Sequence, residues 1–243
     1  MVRLASLSTW IQPQHLEQDA LPTYRESFQT HPARLLVLKQ FLQDSIAERL
    51  SKFLRDEAQF SLEYGLYSTG DEAADERTWL SADEGSRFFR FSKLVAVRPE
   101  YSMSPNALTY LRFRKAFQDP AFKTFFQELC GMQLGWSDDF GSHSMSAGDF
   151  LKSHNDDNRN RRLALVIYLS PDWRSDFAGA LNVVDSRGQR TRIEVEYNSM
   201  VVFDVAAGTT HFVDPIAPRA GNVTRLTIGG WYHKPDLGTH GLD

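Results

Sequence analysis

The chain has little of several things. It holds one cysteine, Cys130, among 243 residues. No intrachain disulfide can form and no multi-cysteine metal site can be built. A lone thiol at the end of Phe125-Phe126-Gln127-Glu128-Leu129 reads as a small buried hydrophobe, and thiol poverty suits a reducing cytoplasm. No apolar run approaches the roughly 20 residues that cross a bilayer, and the N-terminus has no continuous apolar stretch of the signal-peptide kind. The expectation is therefore a soluble cytoplasmic protein without a membrane partner. Positive charge is not in excess either. The net charge is −4 and the pI about 6.0, which argues against binding nucleic acid through a general basic field. There is no internal repeat, no glycine-rich phosphate loop and no low-complexity linker.

What is present is an ordinary globular composition, 42% hydrophobic and 24% charged, and length enough for a sizeable core. Residues 1–33 are polar and proline-containing, and are expected to pack loosely. Leu35–Leu38 suits a buried strand. Phe41–Ala58 has helical spacing, with Phe41, Leu42, Ile46, Leu50, Phe53 and Leu54 on one side. Asp71–Glu76 reads as a solvated acidic turn or helix start. Basic and aromatic residues interleave over 83–98, as in a surface strand with one buried aromatic face or, less simply, a substrate groove. Ser104 and Pro105 begin a helix, Pro120 begins another, and Gly131 ends it.

After Gly131 the texture changes. Short β-type runs cover Met132–Trp136, Ser142–Phe150, Leu163–Leu169, Ala180–Val184, Thr191–Val195, Met200–Val205, Thr210–Val213 and Asn222–Tyr232. Eight short strands joined by tight turns predict a mainly β double sheet or jelly roll, with α-helices supporting it from the N-terminal side. The reading is one domain over 34–235, divided into helical support (34–131) and β core (132–235), with 236–243 a tail.

The chemistry centres on His154-x-Asp156. On an extended segment residues i and i+2 share a face, so an imidazole and a carboxylate converge. They are two members of a 2-His-1-carboxylate set that holds non-haem Fe(II). As a bare tripeptide the pair is more often a polar loop. His211, 55 residues beyond Asp156 and just after the apolar run Met200–Asp204, is the best third ligand in the chain. His15 and His31 lie in the N-terminal segment, His240 in the tail, and His143 and His233 fit surface or supporting positions. Arg225 follows 14 residues after His211, and Thr227 shares its face. A guanidinium takes a carboxylate bidentately and a hydroxyl adds a donor, which is what the distal end of a 2-oxo diacid needs. Alone, Arg225 would more often be a surface ion pair.

In order, Gly148-Asp149-Phe150-Leu151, His154-x-Asp156, Arg161-Arg162-Leu163, Tyr168, Trp173, Gly179-Ala180-Leu181, Val201-Val202-Phe203, His211-x-Val213 and Arg225-x-Thr227-x-x-Gly230-Trp231 resemble the prolyl 4-hydroxylase-like branch of the 2-oxoglutarate/Fe(II)-dependent dioxygenases. The resemblance covers about residues 142–235. An arginine anchor makes it closer to the bacterial and fungal peptidyl-prolyl hydroxylase-related members than to collagen prolyl hydroxylases, which use lysine. It implies a double-stranded β-helix. It implies Fe(II) on His154, Asp156 and His211, and 2-oxoglutarate on Arg225, Thr227 and Tyr168, with ascorbate as a further cofactor candidate. Dioxygen would be consumed, succinate and carbon dioxide released, and a C–H bond hydroxylated in a peptide or protein, proline first. The alternative substrate is a small free molecule. Two further alternatives are a metal enzyme of cupin type without an oxo acid and a jelly-roll binding module without turnover. Two positions depart from the family pattern. Met145 stands where a tyrosine is common, and Ala178-Gly179 where Gly-Gly is usual. Among the remaining residues, Asp157 is expected to meet solvent or orient a ligand histidine, Arg161 and Arg162 to meet substrate or solvent, Asn182 to be a weak pocket candidate, and Trp231 to pack.

Overall fold

The computed structural model describes residues 4–70, 72–136, 140–157 and 160–235, with the side chains of Leu4 and Ala5 left aside. In chain order the elements are α1 (Ala20–Thr30), β1 (Leu35–Leu38), α2 (Asp44–Lys52), β2 (Ala58–Leu66), β3 (Ala73–Ala74), α3 (Glu76–Ser81), β4 (Arg87–Val97), α4 (Pro105–Ala116) and α5 (Pro120–Cys130). Then come β5 (Phe140–Met145), β6 (Phe150–His154), β7 (Arg161–Tyr168), β8 (Leu181–Val184), β9 (Arg190–Ile193), β10 (Ser199–Asp204), β11 (Thr210–Val213) and β12 (Arg225–His233). The strands form one curled antiparallel sheet in the order β1-β10-β7-β12-β5-β4-β6-β11-β8-β9, with β2 and β3 attached through β4. This is the jelly-roll architecture expected from the strand spacing.

Alternation along the central strands explains where the site sits. Leu163, Leu165 and Ile167 of β7, Met200 and Val202 of β10, and Leu226, Ile228 and Tyr232 of β12 join the helices in one core. The intervening residues, including Ala164, Tyr168, Val201 and Phe203, face the barrel interior and form a second core. A strand that is apolar on both faces must be covered on both, and the helices supply the outer cover. α5 contributes Phe122, Phe125, Phe126 and Leu129, all buried. As its sequence predicts, Pro120 opens the helix and Gly131 closes it in the left-handed conformation; the Asp119 side chain adds a cap by accepting from Ala121 N–H. Ser104 caps α4 by accepting from Ala107 N–H. Cys130 is fully buried beside this core and burial pushes its thiol pKa up, as expected of a structural cysteine.

Several expectations are corrected. Residues 1–33 do not pack loosely among the described positions. Leu7, Ile11 and Phe28 are buried in the helix-side core, His15 bonds the Tyr24 hydroxyl at 2.8 Å, and Arg25 donates to the Glu128 carbonyl. The helix over Phe41–Ala58 is shorter: α2 ends at Lys52 and a single π turn follows over Phe53–Glu57. Met132–Trp136 forms no strand. Ser142–Phe150 is two strands, because Gly148 at φ +85° makes the turn between β5 and β6. Part of the acidic tract is a cap: Asp75 accepts from Thr78 N–H at the start of α3, while Asp71 lies outside the described residues. His240 and the tail at 236–243 also lie outside them. No helix among the described residues is long and apolar enough to cross a membrane.

Candidate active site

A cavity of about 390 Å³ occupies the barrel interior, and its wall is made by the inward residues of β4, β5, β7, β11 and β12. His154 ends β6, Asp156 follows in the loop, and His211 sits directly opposite His154 on β11. Ligand-type atoms of His154, Asp156 and His211 all lie within 4.8 Å of one another. His154 Nε2 is 3.5 Å from Asp156 Oδ1, and His211 Nε2 is 3.3 Å from Asp156 Oδ2. The far ring nitrogen of His154, Nδ1, lies 2.9 Å from the Lys152 carbonyl. A proton on Nδ1 donates there, which leaves Nε2 as a lone-pair donor turned to Asp156.

Electrostatics favour the same form. Burial pulls the His211 pKa down and the neighbouring His154 adds to it, so the ring is neutral and can donate its lone pair. Burial works to raise the Asp156 carboxyl, but its two imidazole neighbours outweigh it and hold the carboxyl below the usual range. The result is an ionised carboxylate between two imidazoles.

Two residues not read as part of the centre hold this carboxylate. Trp231, expected only to pack, donates its indole Nε1–H to Asp156 Oδ2 at 3.0 Å. Arg161 is buried, lies 3.3 Å from Asp156 Oδ1 through Nη1, and stacks its guanidinium 3.6 Å from the Trp231 ring centroid. The clue lay in residue chemistry alone: an indole has one donor and a buried one needs an acceptor. Arg162 does something else, pairing with Asp204 at 2.9 Å. Asp157 meets Lys234 at 2.5 Å and does not orient either histidine. Asn182 is buried but absent from the cavity wall; it bonds Asp214 and Arg190. His143 lines the cavity, against Phe91, rather than the surface.

The other end of the cavity is cationic. Arg225 is 4% exposed, yet its guanidinium is poorly served. Nη2 is 3.4 Å from the Tyr168 hydroxyl, Nη1 is 3.5 Å from Met145 Sδ, and Nε has no hydrogen-bond partner among the described residues. Burial lowers the Arg225 pKa, although an arginine stays charged. Burial likewise raises the Tyr168 phenol, so its hydroxyl stays protonated. Met145 stands opposite Arg225 on β5, and Thr227 stands opposite both His143 and Tyr168. The Arg225 stem packs on Gly179, where a Cβ would come 3.4 Å from Arg225 Cδ and 3.0 Å from the Trp173 ring. The opposite wall is aromatic. Phe88, Phe89 and Phe91 of β4 turn into the cavity, with Phe89 and Phe91 stacked at 4.5 Å. The basic-aromatic stretch is thus a strand whose aromatic face is the cavity wall.

The donor set fits a divalent non-haem iron: two imidazoles and a carboxylate on one side of a cavity, with no sulfur. The unpaired buried cation in the same cavity fits a carboxylate. Residues 140–233 match the family model of the 2OG-Fe(II) oxygenase superfamily. The prolyl 3-hydroxylase OGFOD1 of Mus musculus is 27% identical over 127 residues, which are 50% of this chain and 23% of that protein. The prolyl 3-hydroxylase sudestada1 of Drosophila melanogaster is 30% identical over 100 residues, 36% of this chain and 18% of that protein. The chain therefore spans about a quarter or less of the curated relatives it matches. Among solved structures, a Pseudomonas putida prolyl-4-hydroxylase superposes with a TM-score of 0.57 at 18% identity, covering 88% of this chain and 98% of that one. A Trichoplax adhaerens prolyl hydroxylase, in complex with a hypoxia inducible factor peptide fragment, gives 0.55 at 16% identity, covering 89% and 93%. These likenesses support the jelly-roll fold.

Proposed function

We propose that this chain, which belongs to the 2OG-Fe(II) oxygenase superfamily through residues 140–233, hydroxylates a residue of a peptide or protein, proline first. The observation that carries the reading is the pairing, in one cavity, of the His154/Asp156/His211 cluster with a buried guanidinium that has no carboxylate partner and a bare Nε among the described residues. Iron would be held by His154, Asp156 and His211. With 2-oxoglutarate and dioxygen, the iron supplies the oxidising chemistry that releases succinate and carbon dioxide and hydroxylates a C–H bond. Arg225 would hold the distal carboxylate, with the Tyr168 and Thr227 hydroxyls as further donors. Trp231 and Arg161 hold the Asp156 carboxylate in its orientation. The apolar lining, from Ala164, Leu181, Val213 and the β4 phenylalanines, keeps bulk water from the reacting centre.

The prolyl preference rests on relatives named prolyl 3-hydroxylases and on a neighbour crystallised with a peptide. The buried Cys130 is compatible with a reducing compartment, and we place the reaction in the cytoplasm. The test is a succinate-release screen with Fe(II) and 2-oxoglutarate over pools of proline-containing peptides and of free amino acids. The reading expects succinate only with peptides and a product heavier by one oxygen, about 16 Da as hydroxylation requires. Turnover on free amino acids alone would move the assignment to a small-molecule hydroxylase. No turnover in any pool, with no 2-oxoglutarate binding, would leave a jelly-roll binding module.

A further inference from the structure

The sheet has a free edge along β2. At Tyr64 and Gly65 this strand is covered by β3. Over Gln59–Glu63 it pairs with β4 on one side and, among the described residues, with no strand on the other. Such an edge offers bare N–H and C=O groups to another chain, and proteins commonly guard it with lysine, proline or a bulge. β2 has none of these. No lysine, arginine or proline stands in Ala58–Leu66, and Leu62 is 39% exposed. Both register shifts against β4 put the extra residue, Val95 or Phe88, on β4 and leave β2 regular. The guard that does exist is Glu63, an acidic side chain that would repel a second copy, and Lys93 neutralises it at 2.7 Å.

Backbone direction sets how a partner strand can pair. The Gly65 carbonyl accepts from the indole of Trp79, on α3, and so points away from β4. Polar groups alternate sides along a strand, so Glu63, Ser61 and Gln59 also turn theirs to the free edge. Let a second β2 run antiparallel about a twofold axis through Ser61. Ser61 then faces its own counterpart and Gln59 faces Glu63, all as hydrogen-bonded pairs. The side chains match on both faces. Ser61 and Glu63 share the face of their β4 partners Lys93 and Phe91, which line the cavity. There the Gln59 amide of one copy donates to the Glu63 carboxylate of the other, so the charge is complemented and not opposed. On the outer face Phe60 meets Leu62. The ladder stops at Tyr64, where β3 already lies, so the free stretch and the self-pairing stretch coincide.

We propose that β2 is the docking edge for a second copy of this chain, giving a twofold dimer whose sheet runs unbroken through both molecules. The axis is perpendicular to the sheet, so the two cavities lie on the same face of the joined sheet. The seam also touches the site, because Glu63 holds Lys93 in the cavity wall. The pairing stands apart from the hydroxylase reading and does not depend on the substrate.

The test starts with sedimentation equilibrium of the full chain, where the mass should climb toward twice 27.7 kDa as concentration is raised. Ser61→Pro deletes the N–H on the axis, and Leu62→Lys sets a charge opposite Phe60. Each should weaken the dimer at least about tenfold while circular dichroism keeps the wild-type fold. Ser61→Cys reads the axis directly. Hydrogen-bonded partners stand about 5.5 Å apart at Cα, within disulfide reach, so this variant should cross-link to itself under mild oxidation. Leu62→Cys, which faces Phe60 and not its own counterpart, should not, and the native Cys130 is buried. A wild type that stays monomeric at every concentration overturns the proposal. So does a dimer that survives both Ser61→Pro and Leu62→Lys, or cross-linking at position 62 in place of 61. A monomer whose affinity for proline-containing peptides falls in Leu62→Lys would give the edge to the substrate, and equally overturns pairing between copies.

Discussion

The two ends of the cavity are built on opposite terms. At the metal-ligand end every polar group is already engaged. Asp156 receives Trp231 and lies beside Arg161 and both histidines, and His154 is steered by the Lys152 carbonyl. At the Arg225 end a full positive charge is buried with, among the described residues, two long contacts and one bare N–H. A buried unpaired charge is destabilising, so the protein tolerates there a cost that a carboxylate ligand would remove. The difference teaches which end waits for its partner. The cluster end is organised in advance, whereas the cationic end is completed by the co-substrate.

Breaking the organised end should have the largest effect. Asp156→Ala, which removes the centre of the cluster, is expected to abolish succinate formation in a protein that still folds, as read by circular dichroism, though with a lower melting temperature because Trp231 and Arg161 lose their carboxylate; retained turnover would show that the ligands are misassigned. Next comes the waiting end. Arg225→Ala removes charge-assisted bonds to the diacid, and 2-oxoglutarate binding should weaken at least about 100-fold, as read by calorimetry. Unchanged affinity would sink the assignment of the anchor. The same asymmetry predicts that 2-oxoglutarate with Mn(II) raises the melting temperature of the wild type but not of Arg225→Ala.

A subtler change separates support from ligation. Trp231→Phe keeps a ring beneath Arg161 but deletes the donor to Asp156 Oδ2, and metal affinity should fall by roughly tenfold. A metal titration that matches wild type would make the indole contact incidental. The smallest effect concerns the turn beside Arg225. Ala178 has φ +63° and ψ −137°, a region that suits glycine, and it precedes Gly179. Ala178→Gly should raise stability by about 1 kcal/mol and the melting temperature by about 2–4 °C. A lower melting temperature would show that the turn is not strained.

Legibility followed the range of the interactions. The helix ends at Ser104, Pro120 and Gly131 were readable because such signals are local, within three residues. The ligand set and anchor were readable because they sit in ordered motifs, and His154, Asp156 and His211 do come together. The supports of Asp156 were not. Trp231 reaches it across 75 residues, and nothing near position 231 marks its indole as a donor to a carboxylate. The N-terminal anchors escaped for the same reason: Arg25 meets the Glu128 carbonyl 103 residues away, and Leu7, Ile11 and Phe28 pack into a core completed by helices far along the chain. The split of Ser142–Phe150 turned on one backbone angle at Gly148, which an alternating pattern does not reveal.

The alternation of β7 and β12 has a consequence for anyone who would redesign this protein. Leu226, Ile228 and Tyr232 look outward to the helices, while Arg225, Thr227, Gly229 and Trp231 look inward. One ribbon of nine residues thus carries two nearly separable dials. A mutant library confined to the inward positions explores what the barrel will accept and transform. One confined to the outward positions explores only how much heat it survives, and selecting on both at once would confuse two independent answers.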